Sequence, residues 1–118
     1  PPLLRRAFVP GALAGREWIC WPTAIWSDDL SKGPLRRQGT LIHELVHVWQ
    51  AQQGVNLLIA KLRAGDGPAA YAYDCSPLTN WPALNIEQQA SVIEHRFLLL
   101  HGATVPGDDA FYRRVCPF

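Results

Sequence analysis

His43-Glu44-Leu45-Val46-His47 constrains this chain more than any other stretch. It reads H-E-x-x-H and lies within Thr40 to Gln50, a segment that holds neither glycine nor proline. On a helix, residues four apart share one face, one turn from each other. Both imidazoles can then grip one ion. The Glu44 carboxylate, about 100° further round the axis, reaches a water on that ion. Zinc hydrolases need this set: two neutral nitrogen ligands, an open coordination position and a base beside the water. On a helical wheel Thr40, His43, His47 and Gln50 fall within an arc of about 80°. Leu41, Ile42, Leu45, Val48 and Trp49 take the other side. The expected element is an amphipathic helix from about Leu35 to Gln53, stopped by Gly54, with its apolar face in the core.

A zinc site needs at least one more protein ligand. The candidates after His47 are Asp66, Asp74, Glu87, Glu94, His95, His101, Asp108 and Asp109. A second long helix is expected from Asn85, with Gln88 as its capping-box partner. Ile86, Ala90, Ile93, Phe97 and Leu100 form its apolar stripe, and Gly102 and Pro106 end it. Glu87, Glu94 and His101 line up beside that stripe, while His95 faces outward. Glu87 and Glu94 are two turns apart, about 10 Å along the axis, so one ion cannot take both. Glu87, in the first turn beside the arriving loop, is the expected ligand. Glu94 is expected as a packing or outer partner.

Length and composition set the remaining bounds. A chain of 118 residues supports one domain, 1–118, with one modest core. Hydrophobic residues at 48% and charged residues at 18% describe a globular rather than a disordered chain. The formal net charge of +1 offers no electrostatic case for nucleic acid or an anionic membrane surface. No apolar run is long enough to span a bilayer. The three cysteines, Cys20, Cys75 and Cys116, lack C-x-x-C spacing, which speaks against a cysteine zinc site. Their odd number leaves room for one bridge, but buried thiols in a reducing compartment are the default. No signal peptide is visible, yet the chain opens Pro1-Pro2 and contains no methionine. A removed leader or a missing preceding segment stays open, and so does localisation in the cytoplasm or export as an effector.

Other elements follow from local pattern. A short helix is expected at Leu3–Phe8, stopped by Pro10 and Gly11. Glu17–Trp26, rich in Trp, Ile, Cys and Thr around Pro22, reads as one or two short edge strands. Val55–Ala64 is expected to be a short helix or packed turn. Gly65 to Pro68 is a loop, and Tyr71-Ala72-Tyr73 is a short strand or extended segment.

These features carry a resemblance. Phe8, Asp28-Asp29, the run from Gln38 to Gln50, Tyr71-Ala72-Tyr73 and Asn85-Ile86-Glu87-Gln88-Gln89-Ala90 resemble the small bacterial Vgr-related proteins, within the broad group of minimal gluzincin-type zinc metallopeptidases. The similarity runs from about residue 3 to residue 100. It implies a mainly helical α+β fold: a minimal zincin-like domain with the H-E-x-x-H helix, a second metal-ligand helix and a small edge sheet. It further implies one Zn2+ per chain, held by His43, His47 and Glu87, with Glu44 as general base. The expected reaction is hydrolysis of amide bonds in a peptide or protein substrate. Tyr71 or Tyr73, with Tyr73 preferred, would supply a phenol to the developing oxyanion. The strand region at Glu17–Trp26 would hold an extended peptide by edge pairing. The competing expectation is a zinc-binding interaction module of a secretion or toxin system with little or no turnover.

Overall fold

The computed structural model describes Leu4–Phe8, Trp18–Pro22, Ser27 and residues 29–118. Helix α1 spans Leu35–Gln52 and α4 spans Ile86–Leu100, and the packing of these two helices is the principal contact of the fold. Between them lie α2 at Leu57–Ala64 and a single turn, α3, at Pro68–Tyr71. Helix α5, at Asp109–Val115, follows α4. Gly54 ends α1 with φ of +89°, a left-handed conformation that favours glycine. Among the described residues no helix is long and apolar enough to cross a membrane.

The expected α+β class with a small edge sheet is corrected: the fold is helical. Strand pairing among the described residues is confined to a two-stranded ribbon, β1 at Leu4–Phe8 against β2 at Trp18–Pro22. The strands run antiparallel, with Leu4 opposite Pro22 and Phe8 opposite Trp18. Two strands fall short of the three or more that give a sheet independent stability. The helix expected at Leu3–Phe8 is therefore replaced, over Leu4–Phe8, by a strand. Five residues are too few to hold a helix by themselves, so pairing with a neighbour decides their conformation. The rest of the expected strand region, residues 17 and 23–26, lies outside the described residues, as does Asp28. Tyr71 closes α3 rather than opening a strand, and Ala72 beyond it is extended.

The burial of α1 departs from the expected one in part: Val48 of the apolar face is buried, but so is much of the histidine face. Gly39, His43, Val46 and Gln50, spaced by three and four, face α4 and are buried, while Leu45 is exposed. The histidine face can enter the interior because its polar atoms find partners there, which removes the cost of burying them. Gly39 allows the close approach. A Cβ at this position would stand 3.0 Å from Leu98 Cδ2 and 3.4 Å from Glu94 Cγ.

Helix α4 is buried on two sides. Opposite α1 it meets α5, where Val92, Phe111, Tyr112 and Val115 form an apolar core flanked by Tyr73, Trp81, Leu84 and Leu99. The start of α4 is fixed as its sequence implies. Asn85 Oδ1 accepts from the Gln88 amide at 2.8 Å, and Gln88 Oε1 accepts from the Asn85 amide at 2.9 Å. The same two side chains also donate to α3 and its exit, Asn85 Nδ2 to the Ala70 carbonyl at 3.1 Å and Gln88 Nε2 to the Ala72 carbonyl at 2.7 Å. The capping box thus pins Tyr71 against the first turn of α4.

Gly39→Leu forces a branched side chain into the closest approach of α1 and α4. Overpacking of this kind costs about 1–3 kcal/mol. The urea midpoint should fall accordingly with an unchanged slope, and an unaltered midpoint would mean that the helices do not meet at Gly39.

Candidate metal centre

One carboxylate lies between two imidazoles at the seam of α1 and α4. His43 Nε2 stands 3.1 Å from Glu87 Oε2, and His47 Nε2 stands 3.3 Å from Glu87 Oε1. Glu87 is 4% exposed and His43 is 7% exposed, so these are interior groups. The ligand-type atoms of His43, His47 and Glu87 all lie within 4.8 Å of one another. Of the acidic candidates, only Glu87 joins the histidines in this group among the described residues.

The far nitrogens of both rings are held as well. His43 Nδ1 lies 2.9 Å from Glu94 Oε1, and His47 Nδ1 lies 2.8 Å from Gln50 Oε1. An oxygen acceptor at Nδ1 calls for the proton there and leaves the lone pair of the neutral ring on Nε2. Gln50 Nε2 donates to the Ile86 carbonyl at 3.1 Å and to Gln89 Oε1 at 2.9 Å, which turns the amide oxygen toward His47. In the neutral rings, two lone pairs then face the oxygens of Glu87, which are themselves acceptors. That arrangement is favourable only with a cation shared among them, either a proton on an imidazole or a metal ion. Two nitrogens and one carboxylate oxygen form a zinc-type donor set. Glu94 and Gln50 occupy the places of the oxygen acceptors that orient metal-binding histidines from behind. The residues therefore fit a metal, and Glu94 reaches His43 without entering the ligand set.

The electrostatics follow from this geometry. Burial pulls the His43 pKa down, but hydrogen bonds and charge from Glu94 and Glu87 outweigh it and leave the value raised. Burial pushes the Glu87 carboxyl up, but His47, His43 and Lys61 prevail and hold it below its ordinary value. The Glu44 side chain, on α1 next to His43, makes no hydrogen bond to another described residue. Burial raises its pKa, and the opposing pull of His47 and His43 does not cancel the rise.

The two tyrosines separate. The Tyr73 hydroxyl lies 2.6 Å from His95 Nδ1 and 2.8 Å from the Tyr112 hydroxyl, and its ring stacks on Phe111. Its phenol, expected as the catalytic one, is engaged in the α4–α5 core and makes no hydrogen bond to His43, His47 or Glu87 among the described residues. Tyr71 is the phenol beside the candidate ligands, its ring centroid 5.8 Å from that of His43. Two residues at the site were not assigned from sequence. Gln50 did fall on the histidine face of the wheel, which was the available signal. Lys61 Nζ lies 3.4 Å from Glu87 Oε1 and comes from α2, where nothing local marks it. Cys75 and Cys116 are free and form no part of the cluster.

No protein-family model matches the chain. No solved structure matches it. Over 77 residues the chain is 40% identical to the type VI secretion system spike protein VgrG2b of Pseudomonas aeruginosa. The match covers 59% of this chain and 7% of that protein, so the chain spans only a small fraction of its relative's length. The chain is thus similar in sequence to a small part of a bacterial Vgr protein. None of the comparisons links it to gluzincin peptidases.

Gln50 is 1% exposed and bridges His47 to the start of α4. Gln50→Leu leaves His47 Nδ1 without its acceptor and Gln89 Oε1 without its donor. Each unsatisfied buried group costs about 1–3 kcal/mol. Chemical denaturation should show that loss, and a variant as stable as the parent would remove Gln50 from the framework of the site.

Proposed function

We propose that this chain is a zinc-binding module that works with a secretion apparatus, and that its site hydrolyses amide bonds in a peptide or protein. One observation carries the chemistry: His43, His47 and Glu87 converge from α1 and α4 while Glu44, on the same helix as the histidines, stays outside the ligand set. Support for the secretion context comes from the similarity to a type VI spike protein. His43 Nε2, His47 Nε2 and a Glu87 oxygen would hold the ion. When bound, zinc supplies Lewis acidity, polarising a carbonyl and acidifying water.

The remaining work falls to the chain itself. Glu94 and Gln50 keep the imidazoles turned toward the centre. Glu44 accepts the proton of the attacking water on its carboxylate and returns it to the leaving amine nitrogen. Its raised pKa brings it closer to the working range of such a base. Tyr71, held at the site by the capping box of α4, offers a phenol donor to the oxyanion. A second reading, a binding module with little turnover, is favoured by the similarity to a secretion-system spike protein.

The ligand assignment predicts an order of affinities. Glu87→Gln should lower zinc affinity far more than Glu94→Gln, which should cost about 10–100-fold, as loss of an outer partner does. A competition titration giving the reverse order would reassign the third ligand.

Glu44→Gln separates the two readings. It should fold and hold zinc like the parent, while cleavage of a mixed peptide library falls by at least ~10²-fold. Equal cleavage by both proteins removes Glu44 as the base. Stoichiometric zinc in both, with cleavage in neither, selects the binding module.

A further inference from the structure

The geometry points to Lys61 as the residue that tempers the metal affinity of the His43–His47–Glu87 site. This rests on the reading of that cluster as a metal site. Lys61 Nζ lies 3.4 Å from Glu87 Oε1, the same oxygen that faces His47 Nε2 at 3.3 Å. It also lies 3.4 Å from the Tyr71 hydroxyl and 3.6 Å from Asp66 Oδ1. A metal ion and an ammonium therefore draw on one carboxylate. Among the described residues, Lys61 is the only lysine or arginine in contact with Glu87.

The charges around the cluster show what Lys61 does. The carboxylates that face the histidines are Glu87, Glu94 and Glu44. A divalent ion leaves one of those three negative charges uncompensated, and Lys61 brings the sum to zero. Two effects then oppose each other. Lys61 helps to orient Glu87, which would raise metal affinity, and it repels a dication, which lowers it. The orienting effect is small, because two imidazoles and near-complete burial already fix Glu87. The repulsion is larger. A single charge about 5 Å from a dication, even at the dielectric of water, amounts to about a tenfold change in affinity. Water's dielectric is the suitable choice, since the Lys61 side chain is 38% exposed. The net sign follows: Lys61 loosens the site's hold on the ion and keeps it exchangeable.

The test is a zinc titration against a competing chelator on the parent, Lys61→Met, Lys61→Gln and Lys61→Arg proteins, each checked for folding by circular dichroism. Both neutral variants should bind zinc about tenfold more tightly, and Lys61→Arg should match the parent. Raising the salt concentration should narrow the gap, because the side chain is partly exposed and its charge is screened. A purely structural tie between α2 and α4 would not respond to salt in this way. Neutral variants that bind zinc as the parent does, or more weakly, overturn the role of Lys61 alone. A parent that holds no zinc overturns the metal-site reading and this inference together, so the two failures are distinct.

Discussion

The contact of Glu87 with His43 and His47 is the interaction on which the rest of the structure depends. It places a carboxylate and two imidazoles in the seam where most chains of this size would pack leucine and valine. Such a seam is stable only if each polar atom has a partner, since an unpaired buried group loses its hydration with no return. Here the pairing extends outward from Glu87 to the histidines, from the histidines to Glu94 and Gln50, and from Gln50 to the first turn of α4. The site and the principal helix contact are one network. A change at the site is therefore a change in the fold.

That coupling explains the position of the apolar core. With polar groups in the α1–α4 seam, a buried hydrophobic cluster of the described residues forms on the other side of α4, against α5. Gly39 contributes by removing a side chain where α1 would otherwise stand off from Leu98 and Glu94. Tyr73 and Tyr112 belong to this second core, and only Tyr71 faces the histidines. One residue of spacing on either side of Ala72 thus separates a phenol beside His43 from a phenol in the packing.

The site was more legible in the sequence than the fold. The H-E-x-x-H spacing fixes two nitrogens on one helical face whatever surrounds them, and Glu87 stood out as a carboxylate in the first turn of a well-capped helix. The structure brings these three side chains together. The wheel also placed Glu94 on the same stripe, and the structure puts it behind His43 rather than beside Glu87. The fold class was less legible because strand signals at Glu17–Trp26 describe a backbone that can extend, not how many partners it finds. Over the described residues it finds one, and the assembly remains helical. Helix α5 was not anticipated, since seven residues carry too short a period to be read.

The sequence by itself determined the elements whose causes are local. These are the long helix around the histidines, its stop at Gly54, the capping box at Asn85 and Gln88, and the chemical types of the candidate metal-ligating side chains. Their physics lies within a few bonds of each residue. The tertiary structure decided which face of α1 is buried, which tyrosine meets the site, and that Gln50 and Lys61 belong to it. Those outcomes depend on groups brought together from distant parts of the chain. The burial of a polar face is favourable or costly only once its partners are known.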